Sequence, residues 1–139
     1  MKVFVDTNVL ASAFATRGMC ADVLRTVLSE HEIVICKQVI SEVQDVLHRK
    51  FHLPQSTITG ILELLHRFAL APAQAETAGI HVRDADDIAI LASALAANAD
   101  VLITGDRDLL IIGKYENLRI LSPRGFWEML RSSGRSGPL

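Results

Sequence analysis

Residues 87–106 read DIAILASALAANADVLITGD, and this stretch decides the fold. Asp87 to Asn98 is apolar on nearly every side, which predicts a helix buried all round. Val101-Leu102-Ile103 follows as a short, continuously apolar run closed by Thr104-Gly105-Asp106, the pattern of a strand buried on both faces. A buried helix feeding a buried strand is half of a βαβ unit, so a mainly parallel sheet is expected.

The same alternation extends in both directions. Val3-Phe4-Val5, ended by Asp6, predicts a first buried strand. An apolar segment from Val9 to Ala15 predicts a helix that Gly18 interrupts, and Ala21 to Ser29 carries Ala21, Leu24, Val27 and Leu28 at helical spacing. Ile33 to Cys36 is a second strand. Lys37 to Lys50 forms an amphipathic helix with Val39, Ile40, Val43, Val46 and Leu47 on one face. Pro54 opens a further helix bearing Ile58, Ile61, Leu62 and Leu65. Phe68 to Ala71, stopped by Pro72, is a third strand. Leu118 to Leu121 is a fifth, and Ser122-Pro123 starts a last helix through Leu130, with proline suited to the first helical position. The expected fold class is α/β, around a parallel sheet of roughly five strands. Residues 1–131 make one domain, and 132–139, rich in Ser and Gly, form a frayed tail.

Composition narrows the function. In 139 residues, 50% are hydrophobic and 22% charged, so the chain is not disordered. The net charge of −2 excludes nucleic-acid binding by bulk charge alone, though a local basic patch is compatible with it. Cys20 and Cys36 make neither a disulfide framework nor a zinc set and read as reduced core thiols. No apolar run is long enough to span a bilayer, and the start lacks the layout of a secretory signal, so a cytoplasmic protein is expected.

In open parallel sheets ligands bind beyond the carboxyl ends of the strands. Asp6 falls there on the first strand. Thr104 and Asp106 fall there on the fourth, with Asp108 just beyond. Asp86 and Asp87 begin the buried helix. Glu42 borders the apolar stripe of its helix while Asp45 points further towards solvent, so Glu42 is the better candidate. Taken singly, each has a plain structural role: Asp6 or Gly105-Asp106 in a turn, Asp84 or Asp86 as a helix cap with Asp87 in the first turn, Glu42 on the surface. Taken together, converging carboxylates repel unless a cation offsets them. Oxygen donors with no Cys or His suit Mg²⁺ or Mn²⁺, and such sites perform phosphoryl chemistry. His48-Arg49-Lys50-Phe51-His52 is the densest basic segment. It is either a solvated helix end favoured by the dipole or a phosphate-contacting patch, Arg49 and Lys50 then touching a nucleic-acid backbone with Phe51 free to stack. His48 and His52 lack a third ligand. Phe126 and Trp127 are expected to pack the last helix on the core or on a dimer partner.

Val3-Phe4-Val5-Asp6-Thr7-Asn8-Val9-Leu10 resembles the opening motif of PIN-domain ribonucleases. Asp84 to Ala92 and Leu102 to Leu110 resemble the family's two later acidic motifs, and Ser41-Glu42-Val43 the segment with its glutamate. The resemblance spans about Met1 to Leu130. It implies a three-layer α/β/α fold and a Mg²⁺- or Mn²⁺-dependent endoribonuclease with catalytic residues Asp6, Glu42, Asp87 and Asp106. The metal would lie on Asp6, Asp87 and Asp106. Thr7, Asn8 and Thr104 would be supporting polar residues, Asp108 an auxiliary acid and Asp86 the neighbour of Asp87. The sequence is most similar to the toxin-like members of toxin–antitoxin modules, which implies a homodimer and a small antitoxin partner. Two other readings remain open at this level. Haloacid-dehalogenase-like phosphatases also open on a strand and Asp, but need an acid where Asn8 stands. A non-catalytic RNA-binding protein of the same fold is the other. A dinucleotide or ATP module is set aside, because neither glycine-rich phosphate motif occurs.

Overall fold

The computed structural model describes residues 1–71 and 85–132. Its strands are β1 (Lys2–Val5), β2 (Glu32–Ile35), β3 (Ala69–Leu70), β4 (Val101–Ile103), β5 (Lys114–Tyr115) and β6 (Leu118–Leu121). Its helices are α1 (Thr7–Ala15), α2 (Met19–Glu30), α3 (Lys37–Arg49), α4 (Gln55–Leu65), α5 (Ala85–Ala96), α6 (Arg107–Ile112) and α7 (Pro123–Ser132). The strands form one sheet in the order β3-β2-β1-β4-β6-β5.

All neighbouring strands run parallel except β5, which returns antiparallel beside β6. Six strands therefore stand where roughly five parallel ones were expected. The addition is a two-residue strand reached through Gly113, whose φ of +70° suits glycine. Two residues carry too little periodicity to read from sequence. Both edges of the sheet, β3 and β5, are this short, which limits unpaired backbone at the rims.

Successive strand residues point to opposite faces. Val3, Phe4 and Val5 on β1 and Val101, Leu102 and Ile103 on β4 are all at most 1% exposed. Both faces of the sheet centre are thus covered, as a three-layer α/β/α fold requires. On α3, Val39, Ile40, Val43 and Leu47 form the buried stripe. Phe126 and Leu130 seat α7 on the core, with Trp127 half-buried beside them. Ser122 Oγ accepts from the Gly125 N–H at 2.9 Å and so caps α7. Cys36 is buried and Cys20 half-buried, both as free thiols.

Several helices have different bounds from those expected. Asp6 caps α1 directly, so that helix starts at Thr7 instead of Val9. α5 starts at Ala85, two residues before Asp87, and α7 runs on to Ser132, which therefore belongs to the helix instead of to a tail. α6 was not foreseen; at six residues it is too short to display a stripe. Pro72, Asp84 as a possible cap, and the tail from 133 onward lie outside the described residues.

From β1 the chain builds one side of the sheet through β2 and β3, then crosses to build the other through β4 and β6. The strand order therefore reverses between β1 and β4. At this switch point Val5 pairs with Ile103, and the Asp6 N–H donates to the Ile103 carbonyl at 3.0 Å. The crevice that such a reversal opens is the usual ligand position in α/β sheets.

Candidate active site

Asp6 emerges from β1 at the switch point as the N-cap of α1. Its Oδ1 accepts from the Thr7 N–H at 2.7 Å and its Oδ2 from the Thr104 hydroxyl at 2.7 Å. Thr104 is fully buried at the end of β4, and its Oγ1 also accepts from the Asp106 N–H at 3.1 Å. Asp106 in turn caps α6, its Oδ1 accepting from the N–H groups of Asp108 at 2.8 Å and Leu109 at 3.2 Å.

The network continues towards α3. The Thr7 hydroxyl donates to Glu42 Oε1 at 2.7 Å, and Gln38 Nε2 donates to Glu42 Oε2 at 3.0 Å. Gln38, Glu42, Thr7, Asp6, Thr104 and Asp106 therefore form one continuous string across α3, α1, β4 and α6. No cation belongs to it. Burial pushes the Asp6 carboxyl above its ordinary range; the bonds from Thr104 and Thr7 pull it down in part, and the charges of Glu42 and Asp106 add to the rise.

Asp87 is buried in the first turn of α5. Oxygens of Asp87, Asp106 and Asp108 all lie within 4.8 Å of one another. This is the tightest set of possible metal donors among the described residues, and it contains only carboxylates. The sequence placed Asp108 as an auxiliary acid and Asp6 among the ligands. In the structure Asp108 joins the close triple, and Asp6 borders the same cleft outside it. Asp87 and Asp108 both lie in first turns, where the helix dipole favours negative charge.

A cleft of about 610 Å³ gathers most of the expected residues: Asp6, Thr7, Asn8, Glu42, Asp86, Asp87 and Asp106. Asp45 also reaches its rim, although it is exposed and ion-paired with Arg49. The basic pair divides here. Lys50 lines the cleft, whereas Arg49 is held by Asp45 and does not. Two contributors escaped the sequence reading. Arg107 lines the cleft as the first residue of α6, and its place inside Gly105-Asp106-Arg107-Asp108 was the available signal. Gln38 holds Glu42 one helical turn away, a spacing that sequence does display.

A family model described as PIN domain matches residues 2–108. Among solved structures, a chain in the crystal structure of VapBC2 from Rickettsia felis bound to a DNA fragment from their promoter is similar in fold. It superposes with a TM-score of 0.60 at 21% identity, covering 86% of this chain and 97% of that one. No curated protein matches the sequence.

Proposed function

The chain belongs to the PIN-domain family, and we propose that it is a Mg²⁺- or Mn²⁺-dependent endoribonuclease hydrolysing RNA phosphodiester bonds. The observation that carries this reading is the triple of Asp87, Asp106 and Asp108, with its oxygens within 4.8 Å of one another. Three hard, anionic oxygen donors without Cys or His fit a small divalent cation. Asp87, Asp106 and Asp108 would hold it, with Asp6 beside them. When bound, such an ion neutralises charge on the phosphate and lowers the pKa of water.

The remaining roles fall to the chain's own groups. Asp6 has a raised proton affinity and stands against the triple, so it orients the attacking water and takes its proton at a carboxylate oxygen. Thr104 and the Thr7 N–H fix the angle of that carboxylate. Glu42, steadied by Thr7 and Gln38, is the fourth acid and holds water on the α3 side. Asn8 lines the entrance as a neutral hydrogen-bonding group.

The resemblance to toxin-like members, together with a VapBC2 chain as a fold neighbour, supports the toxin component of a toxin–antitoxin module. A homodimer, a small antitoxin and a cytoplasmic site of action follow from that reading. No helix among the described residues is long and apolar enough to cross a membrane. The phosphatase alternative loses its ground, since Asn8 occupies the position of its general acid and the family match is to PIN domains.

The test is incubation of purified protein with mixed RNAs in Mg²⁺, in Mn²⁺ and in EDTA. Cleavage is expected with either metal and absent in EDTA, and Asp106→Asn should be inactive. Cleavage in EDTA would refute the mechanism; binding without cleavage under every condition would favour the non-catalytic protein. Growth arrest on expression, relieved by the product of a small adjacent gene, tests the toxin assignment.

A further inference from the structure

Among the described residues, an RNA strand entering the cleft meets Asp6, Glu42, Asp45, Asp86, Asp87 and Asp106, but only two cations, Lys50 and Arg107. A divalent ion at the triple offsets charge where the bond is cut. It does little for phosphates further along, because surface charges are screened beyond about 10 Å at 0.1 M salt. Something on the protein must attract those phosphates or the acidic cleft repels its own substrate.

Resting on the ribonuclease reading, we propose that Arg107 and Lys50 form a two-point grip on the phosphates of single-stranded RNA flanking the cleaved bond. Arg107 opens α6 immediately after Asp106 and lines the cleft. It is exposed, and among the described residues it forms no salt bridge. Its planar fork suits two oxygens of one phosphate. Lys50 closes α3 on the Glu42 side of the cleft, its Nζ 5.5 Å from the centre of the Phe51 ring. As a compact charge it suits phosphate contact without fixed direction. Arg49 is paired with Asp45 and does not line the cleft. The grip is a positioning device; the acids perform the chemistry.

The experiment measures binding apart from cleavage, by fluorescence anisotropy of a labelled, fully 2′-O-methylated single strand in Mg²⁺ across a salt series. Arg107→Ala and Lys50→Ala should each weaken binding about tenfold, the scale of one charge-assisted contact. Each should also flatten the slope of log affinity against log salt by about 0.7, one released counterion on a single strand. Arg107→Lys should keep the slope while recovering only part of the affinity. Arg25→Ala, an equal charge change on α2 outside the cleft, should change neither. With cleavable RNA, KM should rise about tenfold while kcat moves less than about threefold. Wild-type binding that both alanine variants retain in full overturns the grip, and so does a wild type that binds no RNA. A fall in kcat with KM unchanged also overturns it, making Arg107 part of the chemistry. The ribonuclease reading is judged separately, by whether wild type cuts RNA with metal.

Discussion

Replacing Thr104 by Val tests whether the string of hydrogen bonds holds the site together. The side chain is fully buried, and Val has nearly its shape, so packing changes little. Two bonds are lost. One is the 2.7 Å donation to Asp6 Oδ2, a bond to a charged acceptor worth about 1.5–3 kcal/mol. The other is the 3.1 Å acceptance from the Asp106 N–H, a neutral bond worth about 1 kcal/mol. The expected loss of stability at neutral pH is therefore about 2.5–4 kcal/mol. For a chain of 139 residues this lowers Tm by roughly 6–12 °C.

The pH dependence has a definite sign. In the fold Asp6 holds its proton more tightly than an unfolded Asp of pKa 3.8, so its charge opposes folding once pH exceeds that value. The Thr104 bond is the strongest influence pulling that pKa back down. Removing it raises the folded pKa further and widens the window over which stability falls as pH rises. The deficit of Thr104→Val should be smallest below pH 3.8, where both states are protonated, and full above the variant's Asp6 pKa. Urea unfolding of both proteins in EDTA, from acid to mildly alkaline pH, measures it. A deficit below about 0.5 kcal/mol, or one equal at every pH, would refute the argument, since Thr104 would then be only a packing residue.

Three further outcomes are expected. Asp6→Asn should abolish cleavage and weaken Mg²⁺ stabilisation, yet leave the protein in EDTA as stable as wild type or slightly more so; a clear loss in EDTA with metal binding intact would make Asp6 a mere cap of α1. Glu42→Gln should slow turnover through its bonds to Thr7 and Gln38, whereas Asp45→Asn, which breaks only an exposed pair, should shift stability by no more than about 1 kcal/mol and spare turnover; the reverse ranking would misplace the fourth acid. Asp108→Asn should shrink the Mg²⁺-induced rise in Tm more than Asp86→Asn does, because Asp108 belongs to the close triple and Asp86 does not; equal effects in thermal unfolding would count against that triple as the metal site.

Most of the fold was legible because burial on both sides leaves an unmistakable mark. β4 and β6 fall where their apolar runs predict, and α3 presents the stripe that its spacing announces. β3 also falls inside the run Phe68 to Ala71 that predicts a third strand, although both of its residues are exposed. β5 left no such mark, because its two residues, half out in solvent, depend on backbone pairing that sequence does not display. At α1 the apolar run begins two residues after the helix does, because polar Thr7 and Asn8 form its start. Asp6 in fact ends β1 and begins α1 at one residue.

That double duty explains which parts of the site could be read and which could not. Asp6, Asp106 and Asp87 follow from topology: each stands at a strand end or helix start beside the point where the strand order reverses. Glu42 follows from helical phase. Asp108 and Arg107 depend instead on α6, six residues that exist because Asp106 spends Oδ1 on capping the N–H groups of Asp108 and Leu109. The cap turns the chain after Gly105, brings the Asp108 carboxylate against Asp87 and Asp106, and leaves Arg107 on the cleft wall. One side-chain cap of two hydrogen bonds thus sets the place of both the third member of the acidic triple and the cation nearest to it in sequence. A cap of this kind has no periodicity. It can be inferred from Asp106 and the apolar Leu109 three residues on, but its consequence for the cleft emerges only when β4 is set beside β1.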